Sequence, residues 1–298
     1  MKLGINCEPL VAADRRSSLF ATPMTRFFAR VHILLAREAP FGVVVRRGPS
    51  KQVCTLMWDR RTDQFQVGQW LKGRIYERRC DLSPDGKYML YFAMNGKWKS
   101  ETKGSWSAIS RAPYLKAVAI FPKGDCWHGG GLFTGKTSYW LNDGYGHTLL
   151  RDTGEVKRDI TFQPPEQFGG ECLGVYYPRL LRDGWKLVER TNVAKWKATD
   201  IFEKPLHQGW VLRKIAHAET GPPAGKGCYW DEHELLHSAS ETRVPCPEWE
   251  WAEVDGKRLV WAQNGKLFAG RMNRAGVVDD SPLFNFNEMT FESTEAPY

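Results

Sequence analysis

Asp81-Leu82-Ser83-Pro84-Asp85-Gly86-Lys87-Tyr88-Met89-Leu90-Tyr91-Phe92 decides how this 298-residue chain folds. A short apolar run enters a Pro-Asp-Gly turn, where proline fixes φ and glycine supplies φ > 0, and a second apolar run leaves it. The pattern is that of a β-hairpin. Three more glycines stand in the same role: Gly135 in LFTGKTSYWL, Gly184 in LLRDGWKLVE and Gly256 in AEVDGKRLVW. Starting from Gly86 the intervals are 49, 49 and 72 residues, and Leu90, Tyr139, Val188 and Val260 each follow four places after their glycine. Recurrence at such a period points to a repeat architecture.

Further strand-like runs lie between the hairpins: KQVCTLMWD, QFQVGQWL, SWSAISR, YLKAVAIF, ATDIFEKPL, GWVLRKIA and KLFAGRMN. Each unit of roughly fifty residues thus offers about four short strands, the content of one propeller blade. Helical periodicity is nearly absent, and VHILLAREAPFGVVVRR reads as one more hairpin without the Asp-Gly turn. The sequence therefore predicts an all-β fold: a single β-propeller over residues 24–298, five-bladed, with four-stranded antiparallel blades around a central channel. The longer last interval places an insertion near residues 217–247. Residues 1–23 show no clear periodicity and are read as an N-terminal extension outside the fold. The run PLFNFNEMTFES alternates apolar and polar residues and is expected to supply the strand that closes the ring, since an open sheet end leaves backbone groups unpaired.

LSPDGKYMLYF is similar to the S-P-D-G-K repeat of TolB-type propellers, relatives of the WD-repeat proteins. The motif is nearly complete once, shortens to D-G-[KW] twice and to T-G-K once, and covers blade cores only. The resemblance implies a rigid platform for other proteins and brings no catalytic residues with it. The first residues show no unbroken apolar run of the signal-peptide kind, so the envelope location of the periplasmic members of that group is not expected here.

Charge permits an anionic partner: 42 Lys and Arg against 34 Asp and Glu give +8, with a pI near 9.1. The cations are scattered among anions, so most are expected to be solvated surface. A nucleic-acid partner would meet Arg46, Arg47, Lys51, Arg60 and Arg61, although charge protecting a strand edge explains the same residues. The seven cysteines are widely spaced and include no C-x-x-C, which argues against a disulfide framework and against a cysteine-based zinc site. No apolar run of spanning length occurs, and a reducing cytoplasm is the expected location.

Tyr229-Trp230-Asp231-Glu232-His233-Glu234-Leu235-Leu236-His237 contains H-E-x-x-H, a zinc pattern that works only on a helix, where positions i and i+4 share one face. Val244-Pro245-Cys246-Pro247 follows and Gly221-Pro222-Pro223 precedes, so the segment reads as a strand, a turn at SASE and a returning strand at TRVPC. In a strand the two histidines stand roughly 13 Å apart, too far to share one ion. No metal and no cofactor are expected, and His233 and His237 remain the candidate ligands if one is present. There is no nucleophile elbow or phosphate loop, and Gly129 to Gly131 are read as close packing.

Propellers meet their ligands at the loops leading into the innermost strands. Here those loops carry Tyr76, Arg78, Arg79, Asp125, Trp127, His128, Tyr176, Tyr177, Arg179, Trp249 and Trp251, the aromatic and arginine types found at binding hot spots. The favoured expectation is a non-enzymatic platform that engages a macromolecule, most naturally a protein, through this mouth. The alternative is a glycan-binding or glycoside-hydrolysing propeller: Asp81, Asp125, Glu171 and Glu250 occupy comparable stages of successive repeats, and such enzymes pair a raised-pKa carboxyl acid with an ionised carboxylate.

Overall fold

A computed structural model describes residues 27–49, 51–166, 168, 169, 171–194 and 197–298. The extension expected at residues 1–23 lies outside the described residues. The described strands form five sheets that follow one another along the chain. The first contains β1 (Arg30–Leu35), β2 (Phe41–Arg47), β3 (Gln52–Asp59) and β4 (Gln64–Lys72), antiparallel in that order. In the second, β5 (Arg74–Ile75) and β6 (Asp81–Leu82) both pair with β7 (Tyr88–Met94), which is followed by β8 (Ser105–Arg111) and β9 (Ala117–Pro122). The third is small, with β10 (Gly131–Phe133) and β11 (Ser138–Leu141). Two short strands then diverge: β12 (Arg151–Asp152) returns to the second sheet beside β9, and β13 (Lys157–Arg158) joins β11. After helix α1 (Leu173–Arg182), the fourth sheet runs through β14 (Lys186–Ala194), β15 (Lys197–Pro205), β16 (Trp210–Glu219), β17 (Tyr229–His237) and β18 (Thr242–Pro245). The fifth holds β19 (Trp249–Asp255), β20 (Arg258–Gln263), β21 (Lys266–Asn273) and β22 (Gly276–Asn285).

Local chemistry explains the turns. Between β6 and β7, Asp85 Oδ1 accepts the Ser83 hydroxyl (2.7 Å) and the Lys87 amide (3.2 Å), while Ser83 Oγ accepts the Tyr88 amide (2.9 Å). Gly86 sits there at φ +77°. Asn264 and Gly265, both at positive φ, make the two-residue turn joining β20 to β21, the geometry that matches strand twist.

Core packing runs in a ring, and this makes the chain a β-propeller. Leu34, Val43, Val45 and Val53 of the first sheet pack on Met89, Tyr91 and Ala93 of the second. Leu90, Ile109 and Phe121 of the second pack on Phe133 and Tyr139 of the third. Helix α1, with Tyr176, Tyr177 and Leu180, carries the contact on to Phe202 and Leu212 of the fourth sheet and Ala252 and Trp261 of the fifth. Val260 and Leu267 of the fifth then pack on Val44, Leu56 and Trp58 of the first. Near the axis β1 lies beside β6 and β19, β6 beside β10, and β17 beside β19.

Two expectations need correction. Asp183-Gly184 is a helix stop and not a hairpin: Gly184 (φ +89°) ends α1, with Trp185 N–H donating to Leu180 O at 3.0 Å. Hairpins and helix ends both favour glycine at positive φ, so the dipeptide cannot separate them. Leu173, Tyr176, Tyr177, Leu180 and Leu181 recur at helical spacing on one face. The closing strand also differs. Residues 282–285 of the tail belong to β22, the outer strand of the fifth sheet, because the first sheet already has its own four strands. Beyond β22 the chain instead laces neighbouring sheets together. Asn287 Oδ1 accepts the Ala29 amide (2.9 Å), Arg46 donates to the carbonyls of Phe286 (3.1 Å) and Met289 (3.2 Å), and Thr294 Oγ1 donates to Gly68 O (3.1 Å). Tyr298 reaches the second sheet, donating to Lys116 O at 2.6 Å. Residues 217–219 end β16, and residues 229–237 and 242–245 are β17 and β18.

Candidate functional site

Strand β1 runs along the axis, and a cavity opens at each of its ends. One, of about 480 Å³, is bounded by Leu34, Arg37, Asp81, Arg182, Lys204 and Glu253. The other, of about 300 Å³, is bounded by Arg30, Arg47, Arg74, Glu77, Trp249 and Glu250. His32 lines both.

The partition between the cavities is a buried polar network. Tyr176 Oη donates to Asp231 Oδ2 at 2.6 Å, and Arg78 Nη2 lies 3.1 Å from the same oxygen. Arg179 donates to His32 Nε2 (3.1 Å), to Glu77 O (3.2 Å) and to Cys80 O. Lys214 Nζ lies 2.9 Å from His233 Nε2 and 3.9 Å from Asp231. Since Trp249 O, 3.0 Å from His233 Nδ1, can only accept, His233 carries its proton on Nδ1 and receives Lys214 on Nε2. Burial pushes the Asp231 pKa up, yet Arg78 and Lys214 outweigh it and hold the group at about 2. Burial, reinforced by Lys214, lowers His233 to about 3, and burial with Arg179 lowers His32 well below its ordinary value. Both rings are therefore neutral, with charge carried by Asp231 and by the cations around it, Arg78 and Lys214.

In the smaller pocket two carboxyls are driven apart. Burial raises Glu250 to about 7 against weaker opposing effects from the Val31 backbone, Arg47 and Arg30. Its Oε1 is buried with no hydrogen-bond partner. Burial also acts on Glu77, but Arg47 (3.0 Å) and Arg78 (3.6 Å) overcome it and hold Glu77 ionised below its ordinary value. Glu77 in turn contributes to raising Glu250, so the two sense each other. Tyr229, Trp230 and Trp249 provide aromatic walls. In the larger cavity the carboxylates are engaged: Asp81 takes a two-pronged pair from Arg182 (2.6 and 2.8 Å), and Glu253 pairs with Lys204 (2.8 Å) and accepts Trp185 Nε1 (2.9 Å).

Of the residues singled out from sequence, Arg78, Tyr176, Arg179, Trp249 and Trp251 meet at the axis. Arg79 is buried just outside it, donating to Cys126 O (2.7 Å) and His128 O, with its guanidinium 5.1 Å from the Tyr76 ring. Asp125 pairs with Lys123 (2.9 Å), and Trp127 is 52% exposed beside it. Tyr177 is fully buried against Phe202 and Phe168, inside the core and away from either mouth. Glu171 accepts Tyr229 Oη at 2.9 Å. His32, Glu77, Lys214 and Asp231 were not singled out; Asp231 and His233 alternate with Trp230 and Glu232 along β17, a polar pair on the buried face of a strand.

The H-E-x-x-H segment is β17, as its context predicts, and no group of three or more metal-ligating side chains occurs among the described residues. His233 is buried against Lys214, whereas His237 lies at the strand end bonded to Ser240 Oγ (2.7 Å). The five cations proposed for nucleic acid do not form one patch. Arg46 is buried under the tail, Arg47 faces the axis, Lys51 is exposed in a turn, and Arg60 and Arg61 lie at the opposite strand end on Asp255 and Asp59. Among the described residues no helix is long and apolar enough to cross a membrane.

No protein-family model matches the chain, and no curated protein matches it. Among solved structures it is similar to a point mutant of the GH43 protein BlXynB from Bacillus licheniformis, at 13% identity and TM-score 0.29, covering 84% of this chain and 51% of that one. The chain thus spans about half the length of that protein. It is also similar to the polysaccharide lyase PL25 ulvan lyase, at 10% identity and TM-score 0.20, covering 85% and 73% of the two chains. The same lyase bound to -[GlcA(1-4)Rha3S]- gives TM-score 0.21 at 10% identity. None of these is similar enough to carry residue roles across.

Proposed function

We propose that the protein binds and hydrolyses a small saccharide in the pocket of Glu250 and Glu77. One observation carries this reading: two carboxyls line a single pocket, one protonated up to about pH 7 by burial and the other held ionised by arginines. Environments that push two titratable groups apart define an acid and its partner base, and two such carboxyls are what glycosidic cleavage requires. Glu250 gives its proton to the glycosidic oxygen as that bond breaks. A water molecule adds at the anomeric carbon, and Glu77 takes the proton the water loses. The aromatic walls of Tyr229, Trp230 and Trp249 offer faces for sugar rings. The pocket, about 300 Å³, suits a short oligosaccharide better than a polymer. Cys54, Cys80, Cys172 and Cys246 are buried free thiols, consistent with a cytoplasmic, reducing setting for such a substrate. The test is a hydrolysis panel of oligosaccharides with the purified chain and its Glu250→Gln variant. Turnover by the first, with binding but about a 10²–10⁴-fold slower reaction in the second, supports the assignment; equal rates defeat it.

A platform role is the second reading. It draws on Trp98, Trp127 and Tyr145, which are 55%, 52% and 58% exposed. Co-purification with the Trp98→Ala/Trp127→Ala variant tests it, since a platform loses its partner and a saccharide hydrolase keeps its activity.

A further inference from the structure

The smaller pocket is over-supplied with cations. Arg30, Arg47, Arg74 and Arg78 all line it, and the first, third and fourth each depress the pKa of Arg47 after burial and Glu77 have acted. Among the described residues, Glu77 and Asp231 are the carboxylates within ion-pair distance of these arginines. Glu250 is held protonated, and Glu248 turns to Gln263 and Asn264 (3.1 Å to the latter). Arg47 and Arg78 use the two anions, at 3.0 Å from Glu77 and 3.1 Å from Asp231. Among the described residues, Arg30 and Arg74 have no carboxylate within ion-pair distance. Within the described residues the Arg30 guanidinium donates to Gly225 O at 3.0 Å, and the Arg74 guanidinium lies 4.4 Å from the Tyr76 ring.

We infer that these two rim arginines clamp the carboxylate of an acidic sugar, so that the substrate is a uronic-acid-containing oligosaccharide; the inference rests on the hydrolase reading above. A guanidinium presents a planar fork that matches a carboxylate with two parallel N–H donors, whereas a neutral sugar would dehydrate both arginines and return no counter-charge. Placed at the rim, the clamp holds the acidic ring on the same mouth as Glu250 without competing for Arg47 and Arg78, which keep Glu77 and Asp231 ionised. Like-charge crowding in the empty pocket favours an anionic occupant for the same reason.

Calorimetric titration of the full chain with a glucuronic-acid-containing disaccharide and with the corresponding glucose disaccharide tests this. The acidic sugar is expected to bind at least about tenfold more tightly at low ionic strength, and the preference should shrink as salt rises. Arg30→Ala/Arg74→Ala, two exposed positions whose loss leaves the core intact, should reduce the preference to within about twofold, while Arg61→Ala at the far strand end leaves it unchanged. Equal affinity for both sugars, or a preference that survives the double substitution, overturns the acidic-sugar inference while leaving hydrolysis at Glu250 standing. Binding of neither disaccharide overturns both.

Discussion

Tyr176 on α1 and Asp231 on β17 meet at 2.6 Å across the axis, and this bond ties the helix to the fourth sheet. Asp231 is shared among Tyr176, Arg78 and Lys214, so its charge is what three elements have in common. Tyr176→Phe removes the donor but keeps the ring. Urea unfolding should show a loss of about 1.5–3 kcal/mol, the range for a hydrogen bond to a charged group.

Acid stability follows from the same carboxylate. With a folded pKa of about 2, below its ordinary 3.8, Asp231 contributes stability that is complete above pH 4 and disappears as pH falls through 2. Thermal melts of the native protein and of Asp231→Asn should therefore converge toward pH 2 and separate above pH 4.

Glu250 behaves in the opposite sense. Its folded pKa, about 7, lies above its ordinary 4.5, so between those values the folded state keeps a proton that the unfolded chain gives up. Stability falls as pH rises from 4.5 to 7 and is level beyond. Glu250→Gln should flatten that slope in melts across the range. For activity, the proton is the reagent, so the rate should decline above pH 7.

Asp81 and Arg182 join the second sheet to the helix through a two-pronged pair, with Asp81 also accepting the Phe133 amide at 2.7 Å. Removing the carboxylate leaves Arg182 with Asp183 as its carboxylate partner (2.8 Å) in a largely buried site. Asp81→Asn is expected to cost about 1.5–3 kcal/mol in urea unfolding, the range for losing hydrogen bonds to a charged group, and more than Arg61→Ala on its exposed Asp59 pair.

Histidine placement makes a metal prediction. Because Lys214 occupies the open nitrogen of His233, metal analysis of the purified chain and of His233→Ala should give the same content. Stoichiometric zinc that is lost on substitution would require β17 to be refolded into a helix.

Much of the sheet architecture was legible because its signals are local. Strand alternation and Gly-containing turns are written within a dozen residues, and β3, β4, β8, β9, β15, β16 and β21 all fall on runs visible in the sequence. Helix α1 was hidden by Pro178 and by Gly184, whose positive φ suits a hairpin as well as a helix end. The site was harder to read. Tyr176 and Arg179 were visible as loop residues but reach the axis only because one helical turn aims both inward, the same geometry that buries Tyr177 in the core. His32 in RVHILL and Asp231 in WDEHELLH acquire meaning from partners 147 and 55 residues away, Arg179 and Tyr176. Glu250 and Glu77 look alike as letters; the ion pairs that Arg47 and Arg78 make with Glu77, and not with Glu250, separate their protonation.

The lacing segment after β22 carries a consequence for biosynthesis. Residues 286–298 fasten sheets whose strands leave the ribosome long before them, the earliest at Arg30. A nascent chain can thus hold folded hairpins while its first and fifth sheets still lack the clasp between them. Closure of the ring therefore waits for these residues, and stalled or clipped translation products should expose the apolar face of Val44, Leu56 and Trp58 to chaperones.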